Sequence, residues 1–415
     1  MSETEPVSLL DSCGVGHLGS HLMIAGVGAV NVVEAQGHSA EDSLNELVTL
    51  LTGDKPTIFT LSYDFGRSVL GIDTRHAANE PDACISQFDS LIVHDYSSGE
   101  TFQIGREIDI DGATEACPHF VSGETPDVRS NFTKQDYLDA IDRIKELIRR
   151  GDTYQTNLTQ QLSGELPSDL TAQEIFWRLR EQNPAPFAAF ITRSDSTVIS
   201  ASPERFFRIA DGRIITSPIK GTRPRGNTPG EDADLREELL TSEKDRAENT
   251  MIVDLLRNDL GRVCEYGSVK VDSLCELEEH PTYRHLVSTV SGKLREDTTI
   301  GEIIRAVFPC GSITGAPKIS AMRIIDELEP HVRGLSMGAI GYYLPPGKEW
   351  QAARVVGVAD YDLSVAIRTM VVRNGIATFN VGGGITIDSD PKAEYEESLL
   401  KAKALLDAVN VGGLS

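Results

Sequence analysis

The segment "FAAFITRSDSTVISASPERFFRIADGRIITS", residues 187–217, contains four short apolar runs separated by polar turns. Runs rich in β-branched and aromatic residues, bounded by Asp, Gly and Ser, predict β-strands. The strands follow one another directly instead of alternating with helices. This grouping favours an α+β fold over a doubly wound parallel sheet.

Helical patterns lie on both sides of this segment. Their predicted positions are Thr133–Arg150, a helix from Thr171, residues 232–260 with a break near Thr241–Ser242, two helices flanking FPCGSITGAPK, and a C-terminal helix from Pro391. Thr133 and Thr171 are each followed three residues later by an acid, the pattern of a capped helix start. Gly151 is a predicted helix end.

The first part of the chain has the pattern of short strands and loops. Residues 1–125 contain the strand-like runs VSLLDS, TIFTLSY and SLIVHDY divided by loops, and the polar stretch 122–131 marks a boundary. We therefore distinguish a β-rich region, 1–125, from a region 126–415, and expect both to form one intertwined fold.

Composition excludes several classes of protein. The 415 residues carry a net charge of −24, which argues against nucleic acid as a partner. Neither a long apolar run nor a signal-peptide pattern is present, so we expect a cytoplasmic protein without a membrane span. The six cysteines lack CxxC spacing, which predicts a reducing compartment and no structural zinc.

The stretch "SPIKGTRPR", residues 217–225, places Lys220 among turn-forming residues. An ordinary surface loop would explain it, and so would a nucleophilic amine held in position. Glu204 precedes Lys220 on a strand of a predicted hairpin. The two could form a cross-strand ion pair, or a general acid beside a nucleophile.

Two helices carry paired acids at i, i+3 spacing. Asp245 and Glu248 share one helical face, and Glu394 and Glu397 share another, with Lys401 four residues further on. Acids near a helix start are usually partners of the helix dipole. Two such pairs together could instead hold Mg²⁺, which prefers a few carboxylates completed by substrate oxygens and water.

Other motifs are weaker. GVGHLG, residues 14–19, matches a dinucleotide-binding pattern, but the strand-like sequence after it favours a glycine-rich turn. GSITGAPK, residues 311–318, lacks a Walker ending. Its Pro317 suits the first position of a helix whose free N–H groups could bind an anion. Arg368 stands among apolar neighbours and needs an anionic partner, and Gly383 and Gly384 permit close approach of a ligand.

In order along residues 132–409, the chain resembles the chorismate-utilising enzymes, which include anthranilate, aminodeoxychorismate, isochorismate and salicylate synthases. The segments that carry the resemblance are GDTYQTNLTQ, SPERF, PIKGTRPR, SEKDRAENTMIVDLLRNDLGRV, RHLVSTV, GSITGAPK, GAIGYY, AIRTM, NVGGGI and EYEESLLKA. The resemblance implies two packed antiparallel β-sheets with helices outside and a central cleft. In the looser first region, LLDS at residues 9–12 is similar to the tryptophan-binding stretch of anthranilate synthases.

Within the family, PIKGT is similar to aminodeoxychorismate synthase component I, whereas anthranilate synthases typically have PIAGT. The resemblance implies that Lys220 attacks C2 of chorismate and that Glu204 protonates the departing 4-hydroxyl. Arg223 and Arg225 are expected to favour the neutral, nucleophilic amine. Gln155 stands where hydrolytic relatives have a water-activating lysine, so attack by water is disfavoured.

The resemblance also implies the remaining site residues. Glu248 and Glu397 would bind Mg²⁺, with Asp245 and Glu394 behind them. The substrate would contact Thr222, His285, Thr314, Tyr342, Arg368, Gly383, Gly384 and Lys401.

The implied function is conversion of chorismate and ammonia to 4-amino-4-deoxychorismate for p-aminobenzoate and folate synthesis. No glutaminase segment is evident, so we expect ammonia from a separate glutaminase subunit. Two alternatives remain open at this point: an anthranilate synthase component I, and a non-catalytic tryptophan-sensing subunit.

Overall fold

In a computed structural model, which describes residues 7–16, 21–36, 39–78, 80–107, 126–280, 283–346 and 360–409, two large antiparallel sheets form the centre of the protein. The first sheet has the strand order β17-β9-β21-β20-β11-β10-β1-β2-β6-β7, with β8 beside β9. The second has the order β14-β16-β13-β12-β19-β18-β4-β5-β3, with β15 beside β16.

The strands are β1 Val7–Asp11, β2 Leu22–Val27, β3 Asn31–Ala35, β4 Thr57–Leu61, β5 Ala83–Gln87, β6 Ser90–Asp95, β7 Glu100–Gly105, β8 Arg129–Ser130, β9 Gln155–Glu165, β10 Phe187–Thr192, β11 Ser196–Ser202, β12 Arg205–Ala210, β13 Arg213–Ser217, β14 Ile219–Pro224, β15 Lys270–Glu279, β16 Tyr283–Lys293, β17 Gly315–Ala316, β18 Ala339–Tyr343, β19 Tyr361–Val365, β20 Thr369–Arg373 and β21 Ile376–Ile385. The four runs of residues 187–217 form β10 to β13, as predicted. They divide between the sheets, because β10 and β11 belong to the first and β12 and β13 to the second.

The helices are α1 Ala40–Leu51, α2 Tyr63–Val69, α3 Lys134–Arg150, α4 Ala172–Gln182, α5 Pro229–Thr241, α6 Glu243–Gly261, α7 Ile300–Val307, α8 Lys318–Leu328 and α9 Pro391–Val409, with a 3₁₀ turn at Gly311–Ile313. The predicted helix signals are confirmed. Thr133 and Thr171 cap α3 and α4, and Gly151 ends α3 in the left-handed conformation. Sequence reasoning missed α1 and α2. No helix in the described part of the chain has the length and apolarity that a membrane crossing requires.

The core has three layers. Between the sheets, Ile24 and Ala189 of the first sheet pack against Ile58 and Ile340 of the second sheet. Helices α1, α2, α6 and α7 cover the outer face of the second sheet, and α4 and α9 cover that of the first. The predicted α+β architecture of two packed antiparallel sheets with outer helices is confirmed.

Strands from the region before residue 125 stand in both sheets. The first sheet contains β1, β2, β6 and β7, and the second contains β3, β4 and β5. Part of the polar stretch 122–131, and residues 17–19 of the glycine-rich motif, lie outside the described residues. After that motif the chain enters β2 at Leu22, a strand as expected, and not the helix that a dinucleotide site needs.

Two local predictions, for Lys220 and Pro317, need correction, and Arg368 lies where the chain changes sheets. Lys220 lies in strand β14 and not in a tight turn, because its hydrogen bonds to β16 continue across a bulge at Gly221. Arg368 interrupts its strand with φ 49°, so the chain leaves β19 in one sheet and enters β20 in the other. Pro317 precedes α8 as its N-cap instead of occupying the first helical position.

Candidate active site

Lys220 is half-buried at the bulge of β14. It stands opposite Leu286 of β16, the register then shifts, and Thr222 stands opposite His285. Gly221 is the extra residue of this bulge and has φ 70°. A Cβ at this position would come within 2.9 Å of Asp245 Cβ. Helix α6 therefore packs directly on the bulge and fixes the backbone that carries the lysine.

Glu204 is buried immediately before β12. Its Oε1 has no hydrogen-bond partner among the described residues. Burial raises the pKa of the Glu204 carboxyl from 4.5 to about 7, and the Ser312 hydroxyl and the Lys220 ammonium reduce that rise. A carboxyl that retains its proton near neutral pH, beside an amine, fits a general acid better than one half of a simple ion pair.

The paired acids of α6 and α9 come together beside Lys220. Burial raises the pKa of the Glu248 carboxyl; the Lys220 and Lys244 ammonium groups oppose the rise, and the neighbouring charge of Glu394 adds to it. Burial also acts on the Glu397 carboxyl, but the Lys401 ammonium, then Lys244 and Lys220, bring its pKa below the usual value.

Contacts inside this acidic cluster are specific. Lys244 Nζ lies 3.5 Å from Glu394 Oε1, and Lys401 Nζ lies 2.8 Å from Glu397 Oε1. The Ser389 hydroxyl donates to Glu394 Oε1 at 2.7 Å. Two of these three donors are cationic, and the acids supply the hard oxygen ligands that Mg²⁺ prefers. The four acids therefore could hold the predicted metal, and the assignment of Glu248 and Glu397 as its ligands, with Asp245 and Glu394 behind them, stays a prediction.

The glycine-rich end of β21 forms one wall of this cluster. A Cβ on Gly383 would lie 3.4 Å from both Glu394 Oε2 and Lys401 Nζ, and Lys401 Nζ donates to the Gly382 carbonyl at 3.0 Å. A Cβ on Gly384 would lie 1.8 Å from Gln155 Nε2. Gln155 therefore covers the strand where only glycine permits its approach, and its buried Oε1 has no partner in the described part of the chain.

Arg368 lies at the crossing between the two sheets. Its Cζ stands 5.5 Å from the centre of the Tyr283 ring, a cation–π geometry. Burial lowers the pKa of Arg368 and Tyr283 opposes the change. Across the described ranges no carboxylate forms an ion pair with it. A half-buried guanidinium in this position can bind a carboxylate of a ligand.

Three further predicted residues lie nearby with defined partners. His285 is buried, and its Nε2 lies 2.9 Å from Glu278 Oε2. Thr222 is exposed beside it on β14. Thr314 is buried, but its hydroxyl donates to the Cys310 and Gly311 carbonyls at 3.1 and 3.3 Å. That hydroxyl holds its own loop, and its contact with a ligand ring stays a prediction.

Tyr342 lies between the two sheets. It is buried at the pocket that Leu10, Asp11 and Ser12 line, and it packs in the inter-sheet core; its contact with substrate stays a prediction. Its side chain projects into that core because alternate residues of β18 face opposite sides: Ile340 and Tyr342 face the first sheet, and Ala339 and Tyr343 face the outer helices.

Arg223 and Arg225 form ion pairs with carboxylates, which the prediction about Lys220 did not include. Arg223 pairs with Glu238 and Asp245 at 2.9 and 3.2 Å, and Arg225 pairs with Asp232 at 2.9 Å. Because carboxylates neutralise both guanidinium groups, the two arginines do not serve to keep Lys220 uncharged.

Sequence reasoning missed three contributors: Ser312 beside Glu204, Tyr283 beneath Arg368, and Lys244 against Glu394. Lys244 had a signal, because it stands four residues before Glu248 on the same helix. Ser312 and Tyr283 had none, since each acts on a residue distant in sequence.

The chain is similar to known proteins over most of its length. The family model described as "chorismate binding enzyme" matches residues 23–407. The chain is 41% identical over 356 residues to an aminodeoxychorismate synthase of Streptomyces griseus, covering 80% of this chain and 47% of that protein. It is 43% identical over 282 residues to aminodeoxychorismate synthase component 1 of Escherichia coli K12, covering 68% of this chain and 59% of that protein.

Among solved structures, anthranilate synthase component I of Streptococcus pneumoniae TIGR4 superposes with a TM-score of 0.79 at 27% identity, covering 94% of this chain and 93% of that one. The chain spans between 38% and 59% of the length of the bacterial aminodeoxychorismate synthases that it matches. Because the family model covers most of the sequence, from β2 to α9, the chain belongs to the family of chorismate binding enzymes.

Proposed function

We propose that this chain converts chorismate and ammonia to 4-amino-4-deoxychorismate, the step toward p-aminobenzoate and folate, in the cytoplasm. The observation that carries the proposal is Lys220, which lies between a buried Glu204 with a pKa near 7 and an acidic cluster suited to Mg²⁺. The names of the relatives from S. griseus and E. coli support it.

The proposed chemistry uses two displacements. The Lys220 amine forms a bond to C2 of chorismate, both conjugated ring double bonds shift by one position, and the C4–O bond breaks as Glu204 gives its proton to the departing hydroxyl, which leaves as water. Ammonia then bonds to C4, both double bonds shift back, and the C2–N bond breaks to release Lys220 as the neutral amine. The proton that the new C4 ammonium loses returns to Glu204. Holding the amine against the ring can supply much of the ~7–11 kcal/mol available from orientation.

Charges around the site are suited to a dianion in an acidic protein. Arg368 would bind the enolpyruvyl carboxylate, and the backbone at Gly383 and Gly384 permits close approach. Glu248 and Glu397 would hold Mg²⁺ with Asp245 and Glu394 behind them; when bound, the ion would neutralise and orient the ring carboxylate. Lys401 pairs with Glu397 and adds a positive charge at that edge.

We propose a separate glutaminase subunit as the source of ammonia. The word "component" in the name of the E. coli relative is consistent with a partner. Burial raises the pKa of the Cys84 and Cys310 thiols to about 12. Such thiols are poor nucleophiles, so neither is suited to glutamine hydrolysis.

Tryptophan binding in the N-terminal region stays a prediction. The pocket at Leu10, Asp11 and Ser12 lies between the sheets. The Asp11 carboxylate already pairs with Arg180 at 2.8 Å and accepts a hydrogen bond from the Tyr96 hydroxyl at 2.8 Å. The carboxylate that could pair with the amino group of tryptophan therefore already has two partners. Calorimetric titration with tryptophan tests whether the amino acid binds there.

The decisive experiment is incubation with chorismate, Mg²⁺ and ammonium, followed by mass spectrometry of the product. We expect an amino product that retains the enolpyruvyl group. A product that lacks it would identify anthranilate formation, and no turnover would favour a binding-only protein.

Omitting ammonia isolates the first displacement. The peptide containing Lys220 should then gain the mass of chorismate minus water, whereas peptides containing Lys244 and Lys401 should not. Lys220→Ala cannot form the bond, and Lys220→Arg should fail as well because guanidinium stays protonated. Near-normal turnover of Lys220→Arg would mean that the lysine only pairs with an anion.

A further inference from the structure

A second group of metal-ligating side chains lies at the end of the β15–β16 hairpin. His280 Nε2 and His285 Nε2 are 3.2 Å apart, and Glu278 Oε2 lies 2.9 Å from the nitrogen of His285 and 3.5 Å from that of His280. Both imidazoles are buried, and the Glu278 side chain is 23% exposed. The three ligand atoms therefore lie within 3.5 Å of one another, and the cluster is open to solvent on the side of Glu278.

The hairpin itself brings these residues together. Glu278 and His285 are direct cross-strand partners, and His280 stands two residues beyond Glu278. Alternate residues of a strand face the same side, which turns His280 toward the same point. The backbone N–H of His280 donates to the Tyr283 carbonyl at 2.8 Å and ties the ends of the two strands together.

The separations match a tetrahedral zinc site. Zn²⁺ binds His nitrogen and carboxylate oxygen at ~2.0–2.2 Å, so tetrahedral ligands stand about 3.3 Å apart. The observed separations of 2.9, 3.2 and 3.5 Å bracket that value. Two histidines and one glutamate also form a known catalytic zinc set, in which a fourth position is left for water or a ligand.

Hydrogen bonding alone explains the arrangement less well. A neutral His285 can donate its Nε2 proton to Glu278 Oε2 at 2.9 Å, whereas the 3.5 Å between His280 Nε2 and Glu278 Oε2 is at the limit of a hydrogen bond. The metal-bound form needs only neutral imidazoles and an ionised Glu278. One divalent cation satisfies all three lone pairs together.

We propose that Glu278, His280 and His285 form a binding site for a divalent transition-metal ion of the Zn²⁺ class, separate from the Mg²⁺ cluster on α6 and α9. Imidazole nitrogen favours such ions, whereas an all-carboxylate set favours Mg²⁺. The site is next to Tyr283, the ring beneath Arg368, with ring centres of His280 and Tyr283 4.7 Å apart. On the proposed function, an ion here holds His285 away from substrate and inhibits turnover.

Direct binding tests the site without relying on activity. Protein freed of metal by a chelator is titrated with ZnCl₂ by calorimetry and with CoCl₂ by visible absorption, since tetrahedral Co²⁺ absorbs strongly. We expect one ion with tetrahedral absorption. His280→Gln should weaken binding by more than about 100-fold, since even loss of an outer partner of a ligand costs ~10–100-fold. The control is Glu248→Gln/Glu397→Gln, which removes the acidic cluster and should leave this site unchanged.

X-ray absorption of the zinc-loaded unaltered protein needs no variant and should show two imidazoles. Oxygen-only coordination, absence of binding, or unchanged zinc affinity in a folded His280→Gln protein would overturn the proposal. If circular dichroism shows that the His280→Gln protein is unfolded, the X-ray absorption result for the unaltered protein decides.

Activity is a separate measurement. With Mg²⁺ in excess, added ZnCl₂ should inhibit the unaltered protein and have much less effect on His280→Gln. A protein that binds one zinc through two imidazoles but makes no aminodeoxychorismate would retain the metal site and refute the proposed function. Zinc binding that leaves turnover unaffected would overturn the inhibitory role.

Discussion

Replacing Glu204 with Gln should separate the catalytic use of this residue from its effect on stability. The side chain is 4% exposed, and burial raises its pKa from 4.5 to about 7. Gln keeps nearly the same shape but carries no titrating proton. Activity should fall strongly, because the Gln amide cannot give a proton to the departing hydroxyl.

The stability effect has a defined sign and window. Between pH 4.5 and about 7 the folded protein keeps a proton on Glu204 that the unfolded chain has released. Stability from this group is therefore fully present below pH 4.5 and is lost as the pH rises to about 7. At ~1.4 kcal/mol per pH unit, the interval between the two pKa values corresponds to about 3 kcal/mol.

The assay is chemical unfolding of both proteins at several pH values from 4.5 to 8. The free energy of unfolding of the Gln variant, relative to the unaltered protein, should improve by about 3 kcal/mol across this range. Glu397→Gln is the matched control. Lys401 and other lysines outweigh burial and lower the pKa of the Glu397 carboxyl, so the effect of this substitution on the free energy of unfolding should vary only at more acidic pH. Parallel curves for Glu204→Gln and the unaltered protein would refute the reasoning, as would full activity of the variant.

Three other predictions concern the same site. Glu248→Gln should abolish turnover while the fold survives, and excess EDTA should do the same to the unaltered protein; full turnover in EDTA would contradict the metal assignment. The isolated chain should use ammonium salts but not glutamine, and glutamine-dependent turnover by the pure chain would show that no partner is needed. Gly221→Ala should destabilise the protein by more than Gly212→Ala. Both glycines have φ 70°, which costs another residue ~1–2 kcal/mol, but only at Gly221 would the new Cβ also meet Asp245, at 2.9 Å; equal losses of stability would contradict tight packing of α6 on the bulge.

Local sequence determined the elements whose signals are local. Thr133, Thr171 and Gly151 set helix ends because capping is a matter of a few adjacent residues. The i, i+3 acids of α6 and α9 were also readable, since helical periodicity alone puts each pair on one face. Lys220 and Glu204 could be singled out as an acid beside an amine, and the resemblance of whole motifs to a family gave the sheet architecture.

Tertiary structure decided what depends on contacts between distant segments. Lys220 was predicted in a turn, but pairing with β16 draws it into a strand, because long-range hydrogen bonds outweigh the turn preference of Gly and Pro. Arg223 and Arg225 were expected to act on Lys220, yet acids on α5 and α6 neutralise them. Tyr342 faces the inter-sheet core, and His280 meets Glu278 and His285 only across the β15–β16 hairpin. Burial and charge pairing arise when separate elements pack, so the pKa of Glu204 could not be inferred from the residues around it in the sequence.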